Sequence, residues 1–530
     1  MLTLERMREF ARAAAAALAR DRELADFEVY CSSSEQLVVR LNYTSDIPSQ
    51  GLEEAKAESA NGLAIRIVMR RNPCECGYAF EAGELSLAAL RRALERARAT
   101  AVVDPHFASL PSPAHGPKVK ARPASAVMAV GGELLVSAGW DVLYGAIRRF
   151  TRYAEAETHG HGFILGGDIT LSKERVAVAG SRMPEASVDQ HAHFRLALTA
   201  FVEAIGAKAS VGCLGTSARE LRRAASLLGA RAVDAALKVR AGDCPAPGEY
   251  RVLLGPQPVA EILNHIVMPS LTARSFYVAS SAYLGKFGQA VMDRRLSLCD
   301  DPLAPSGALR RGISCEGMPA RRTALVRGGA LVGLLASFYD AAQLGADAAR
   351  ERKLTGGRRR ARDGRRAELA PAHKAGSGAA GLARFAGANG YRLADSGVRR
   401  FDAQIAAGAS NVVMRGRQGR DLRALMRLLG DGIYVGNVWY TYPINGQAAG
   451  DFTCTITGGS YLIRNGVPAA PVAPNCLRIN ANIRDVFEAL LAPEGDVHAT
   501  ALWGAPQAYY VPALAVERLS LSAIVSPHAG

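Results

Sequence analysis

Between about residues 343 and 408 the chain becomes a basic, Ala/Gly-rich, low-complexity stretch, and no other feature limits its fold as strongly. A structureless segment of this length is foreign to a compact core, so it reads as an insertion or linker. Its middle, RERKLTGGRRRARDGRR at 350–366, sets nine Lys and Arg against Glu351 and Asp363. That net +7 is about half of the formal charge of +15, so the excess sits in one segment rather than across a folded surface. The folded parts must come from what flanks this stretch. At 530 residues the chain exceeds one hydrophobic core, and two or more domains are expected.

Upstream, helical and strand patterns are mixed. Residues 3–20 read as a helix, DFEVYCSSS and QLVVRLNY as two strands, and GLAIRIVMRR with GYAFEAG as a hairpin. LSLAALRRALERARA places Leu87, Leu90, Leu94 and Ala97 on one stripe behind Ser86 as N-cap. A Pro-rich linker at 105–124 ends this 1–104 module. A second α/β module at 125–244 has a helix near Leu134–Tyr153, strands in DITLSKERVAVAGS and HFRLALTAFVEAIG, and a long helix from Ser217. From about 245 the chain is richer in strands, including a hairpin that turns at Asn465-Gly466, the preferred type I′ pair. The expected class is α+β: an α/β N-terminal region followed by a β-rich, barrel-like C-terminal domain over 245–530, with the insertion at 343–408.

The chemistry-bearing candidates are few. VLLGPQPVAEILNHIVMP carries Glu261 and His265 four apart, on one helix face, behind Ala260. Cys454, in DFTCTITGG, reads as a core or cleft-lining thiol. His191 and His193 share one face of a strand and read as solvated; His159 and His161 fall in a glycine loop. Cys74 and Cys76 read as a surface thiol pair with no second pair to complete a four-ligand metal site. There is no G-x-S-x-G elbow, no P-loop, no G-x-G-x-x-G after a strand and no HExxH. Nine cysteines without framework spacing point to a reducing cytoplasm. The N-terminus lacks the order of a signal peptide, and no run approaches the ~18 apolar residues of a membrane span.

Several blocks then carry a likeness: GKFGQAVMDRRLSLCDDPLAPSG, CEGMPARRTALVRGGALVGLLASFYD, GDGIYVGNVWYTYPINGQAAGDFTCTITGGSYLIRNGVPAAPV and RINANIRDVFEAL, in that order. With ADFEVYCSSSEQLVVRLNY and GLAIRIV near the start, the chain resembles the TldD/PmbA family of metallopeptidases and "modulators of DNA gyrase" over nearly its whole length. The resemblance implies two related subunits paired around a cleft, and unfolded or ribosomally made peptides as substrates. It also implies, in the catalytic type, an HExxxH helix whose histidines bind zinc together with a cysteine near the C-terminus. Here that motif falls on Ala260-Glu261-Ile262-Leu263-Asn264-His265, and the cysteine position falls near Gly504. Catalytic zinc takes three protein ligands plus water, and two of the three are missing. The resemblance is therefore to the partner type.

Three functions follow as expectations. The first is a non-catalytic or degenerate subunit of a two-subunit peptidase, with zinc in the complex rather than on this chain, and a paralogue or a second copy as partner. The second is a self-sufficient zinc peptidase in which Glu261 is the catalytic carboxylate and His265 a metal ligand. The third is a nucleic-acid-associated protein using the Arg-rich insert, which lacks the interleaved aromatics of a base-stacking surface and is the least favoured. Whether the chain is an enzyme depends on whether another residue replaces the missing ligands. No membrane partner is expected.

Overall fold

The computed structural model describes the chain except for residues 46, 48–50, 72, 107–108, 114–125, 158–161, 204–205, 239–241, 347–353, 355–387, 395 and 525–530. His159, His161 and the Arg-rich tract at 350–366, Leu354 apart, lie outside the described residues.

The N-terminal half is organised by one strand. DFEVYCSSS and QLVVRLNY are continuous, as Leu24–Thr44, because Ser32, Ser33 and Ser34 pair on both sides, with Gly62, Asn61 and Ala60 and with Val176, Arg175 and Glu174. Around it an antiparallel sheet runs in the order Val102–Val103, Glu75–Ala82, Lys56–Met69, Leu24–Thr44, Phe163–Gly180, Ser187–Val202, Ala207–Gly215. The segments 1–104 and 125–244 thus share a single sheet. Among the described residues four long helices cover one of its faces. Helices α1 (Leu4–Leu18) and α2 (Leu87–Ala99) pack on Val29, Cys31 and Ile65; α3 (Gly132–Glu157) and α4 (Ala218–Leu237) pack on Val39, Leu41 and Leu196. Ser86 caps α2, its hydroxyl accepting from the Ala89 N–H at 3.2 Å.

The other face is polar yet buried. Glu28, Glu174, Asp189, His191 and His193 all lie under residues 311–319 and 388–402 of the C-terminal half. Arg399, wholly buried, donates through Nε to Glu174 at 2.7 Å, through Nη2 to Asp189 at 2.9 Å and through Nη1 to the Ile313 carbonyl at 3.1 Å. Its own N–H donates to Glu174 at 2.7 Å. Arg66 joins Glu28 at 2.7 Å to Glu316 at 3.1 Å. His191 and His193 are therefore not a solvated pair: their rings stack at 5.4 Å inside this layer, and burial holds His193 well below its ordinary pKa. The stretch read as one long insertion also returns to the fold earlier than its composition implies, since Tyr391, Arg392 and Arg399 are core residues.

Among the described residues the C-terminal half has two larger sheets on a shared core, and a two-stranded ribbon of Gly390–Tyr391 and Ala406–Ala407. The larger, which curls into a half-barrel, runs Val438–Pro443, Asp451–Ile456, Leu477–Asn482, Leu514–Ala523, Gly248–Leu254, Gly432–Val435, Tyr461–Arg464, Val467–Pro471. Asn465 and Gly466 turn its last hairpin with φ of 51° and 77°, as type I′ requires. The α+β class holds, with a β-rich, barrel-like C-terminal domain.

Burial alone would raise the Glu174 carboxyl, but Arg399, Arg311 and the Arg399 N–H outweigh it and hold it below its ordinary value. The stability this confers is present above the ordinary carboxylate pKa and is lost as pH falls through the depressed one. Arg399→Ala leaves Glu174 and Asp189 buried without their cation and should cost about 3–5 kcal/mol, read as a lower denaturation midpoint. Arg518→Ala, which removes an exposed pair with Glu249, should leave the midpoint where it is.

Candidate functional site

The helix of interest leaves strand Gly248–Leu254 and begins at Pro256, a position whose missing N–H costs nothing. It does not stop before Pro269. Residues Pro256–Ile262 are α-helical, Leu263–Val267 form a π turn, and Met268–Ser270 complete the rod. The Met268 N–H donates to the Leu263 carbonyl, five residues back. In a regular α-helix the Pro269 ring would meet the carbonyl of His265, and the wider turn relieves that contact. The Ile266 carbonyl is taken up by Gln447 Nε2 at 2.5 Å and Ser270 Oγ at 2.9 Å.

Glu261 and His265 come together as their spacing predicts, with Oε2 to Nε2 at 3.1 Å. The other carboxylate oxygen accepts from Gln257 Nε2 at 3.1 Å. Gln257 also grips the backbone of Val438, donating to its carbonyl at 3.1 Å and accepting from its N–H at 2.9 Å. One turn on, Asn264 Oδ1 accepts from Gln507 at 2.8 Å and from the buried Tyr509 hydroxyl at 2.8 Å. Gln257, Asn264, Gln507 and Tyr509 were not singled out from the sequence; the polar i, i+4 series 257–261–265 was the available signal for the first.

Val438–Pro443 is the edge strand of the large sheet, and it is bulged between Trp439 and Tyr442. Within the bulge Tyr440 has φ of 52°, a conformation costly for a bulky residue, and its ring is 72% exposed. Trp439 lies 6.0 Å from Tyr440 and 6.3 Å from Trp503, ring centre to ring centre. An exposed aromatic rim thus lies beside the strand end that Gln257 holds. Its signal in the sequence was the run NVWYTYP, which was read only as part of a family block.

The donor set does not fit zinc. Ala260 is wholly inaccessible and packed among Val259, Leu263 and the strands of the core, whereas His265 is 42% exposed. Gly504 sits in a turn with φ of 70° and supplies no donor. Cys454 is buried on strand Asp451–Ile456; burial first, then the Glu261 charge, push its thiol well above the ordinary range and keep it a neutral thiol. Among the described residues no group of three His, Cys, Asp or Glu side chains is placed to hold a metal ion. Cys74 and Cys76 are half-buried, beside Leu110 and Phe338.

Residues 247–523, more than half of the chain, match the PmbA/TldA metallopeptidase C-terminal domain. The chain belongs to the PmbA/TldD family. Its fold is that of solved structures covering almost the same length. TldE from Thermococcus kodakarensis superposes with a TM-score of 0.71 at 16% identity, covering 98% of this chain and 99% of that one. A candidate modulator of DNA gyrase from Bacteroides thetaiotaomicron gives 0.69 at 15% identity, over 99% and 100%. Another from Thermotoga maritima gives 0.69 at 15%, over 98% and 100%. No curated protein matches the chain in sequence. Among the described residues no helix is long and apolar enough to cross a membrane.

Within this PmbA/TldD chain, writing the family's first histidine back at position 260 should not rebuild a centre. Ala260→His forces an imidazole into a filled core and should cost about 1–3 kcal/mol. Purified A260H is expected to show a lowered thermal midpoint and no zinc by elemental analysis; stoichiometric zinc in it would show that the core opens around this position.

Proposed function

We propose that this chain is the non-catalytic, substrate-holding subunit of a two-subunit PmbA/TldD-type peptidase acting on unfolded peptides. The observation that carries the proposal is Ala260, buried in the core where the family's zinc site begins. The hydrolytic group then belongs to a catalytic partner, and what this chain contributes is a surface.

That surface is the edge strand Val438–Pro443. An edge strand presents backbone donors and acceptors to any extended chain, whatever its sequence, which suits unfolded substrates. Gln257 clamps the Val438 backbone to the helix, so the edge is held still before a peptide arrives. Trp439, Tyr440 and Trp503 add exposed aromatic area with little side-chain entropy to lose. Glu261 and His265 satisfy one another.

Two measurements test this. The purified chain alone should contain no zinc and should not cleave an unfolded peptide; cleavage should require a catalytic paralogue. About one zinc per chain, lost in His265→Ala together with turnover, would instead make this a peptidase in its own right. Separately, Trp439→Ala with Trp503→Ala should weaken binding of a labelled unfolded peptide about tenfold, with the fold unchanged by circular dichroism. Undiminished binding would move the peptide away from this edge.

A further inference from the structure

A cavity of about 590 Å³ lies between the N-terminal sheet and the C-terminal half, a size usual for a small-molecule site. One wall is the end of that sheet, with Tyr78 on strand Glu75–Ala82 and Val102 on the edge strand Val102–Val103. The other carries Arg274 of helix Ala273–Tyr277, Tyr339 and Asp340 of helix Phe338–Gly345, and Arg392. None of the described lining residues belongs to the helix at Pro256–Ser270 or to the edge strand Val438–Pro443.

Arg392 differs from the other buried arginines of this layer. Arg66, Arg311 and Arg399 each meet at least one carboxylate. Arg392 is 1% exposed and has none among the described residues. Its Nη1 donates to the Tyr78 hydroxyl at 2.9 Å and to the Ala403 carbonyl at 2.7 Å. Its guanidinium lies 5.5 Å from the Tyr30 ring centre and 4.9 Å from that of Tyr78. These contacts fix its place, yet Nε has no partner and the charge has no counter-ion. A buried cation left so is costly until an anion reaches it. Arg274, exposed on the same cavity, also has no ion pair among the described residues.

Two carboxylates line the cavity as well, Asp104 and Asp340. Each commits one oxygen to the protein: Asp104 Oδ1 accepts from the His106 N–H at 2.9 Å, and Asp340 Oδ2 from the Ser337 hydroxyl at 2.7 Å. Arg66, which also lines the cavity, is already engaged by Glu28 and Glu316. The remaining cations and carboxylates balance, so a phosphate would be repelled as well as attracted. A zwitterion answers both signs.

We propose that this cavity binds a short zwitterionic peptide by its two free termini, at a site separate from the edge strand. The peptide carboxylate takes Arg274 and Arg392 as its cations, in the geometry guanidinium groups favour. The ammonium takes Asp104 and Asp340, and apolar side chains pack on Tyr78, Val102, Tyr339 and Ile405. The proposal does not depend on the chain's place in a peptidase. Because both halves line the cavity, a bound peptide also favours the assembled fold.

The test is titration calorimetry of the full chain with leucyl-leucine. The expected result is saturable binding, with N-acetyl-leucyl-leucine and leucyl-leucine amide each bound at least about tenfold more weakly. Arg274→Ala, a change at an exposed position, should fold as the parent does and bind leucyl-leucine about tenfold more weakly. The Trp439→Ala, Trp503→Ala variant should bind it as the parent does. No saturable binding, or equal binding of the blocked dipeptides, overturns the proposal. Undiminished binding in Arg274→Ala, or its loss in the tryptophan variant, overturns the assignment to this cavity.

Discussion

The arrangement depends on a buried guanidinium. Arg399 comes from the C-terminal half, late in the chain, and ends between Glu174 and Asp189 on two neighbouring strands of the N-terminal sheet. Two carboxylates buried side by side repel one another and cannot both stay charged without a cation between them. The polar face of the sheet is therefore incomplete until residues 388–402 lie across it. Arg66 repeats the device, holding Glu28 on one side and Glu316 on the other. The halves are locked by charge, and helices α1 to α4 are left for the opposite face.

This lock bears on the candidate site through the chain's connectivity. The segment carrying Glu316 also caps the helix Phe338–Gly345, its carboxylate accepting from the Phe338 N–H at 2.9 Å. The shared apolar core continues from there to the helix at Pro256–Ser270 and on to the edge strand. A surface that must hold a flexible peptide gains most when its own backbone has little freedom left to lose. Here the freedom of the edge strand is reduced by Gln257 at one end and by pairing with strand Asp451–Ile456 on either side of the bulge.

What the sequence made legible was local. The Ser86 cap, the Asn465-Gly466 turn and the Glu261–His265 contact are each decided by residues within five positions of one another, where propensity and spacing carry the information. The absence of a ligand at 260 was equally plain. What was illegible was long-range. His191 and His193 alternate with apolar residues as a half-solvated strand would, and only the arrival of residues from beyond position 310 makes that face an interior. Arg392 and Arg399 follow a basic, low-complexity stretch and look like its continuation, because composition cannot distinguish a solvated arginine from one paired across the fold. The π turn lay between: Pro269 inside an otherwise helical run was its signal, and it reads equally well as a helix end.

The carboxylate at 261 has a structural role, as an acceptor that orients Gln257. One oxygen of Glu261 accepts from Gln257 and the other faces His265. The same Gln257 amide nitrogen that binds the carboxylate binds the Val438 carbonyl, so the charge orients the amide and the amide fixes the strand. Removing Glu261 would free the amide to rotate and loosen its double hold on Val438. On the function proposed above, Glu261 is a strut for the edge that receives the peptide, and the work of a general base is left to another subunit.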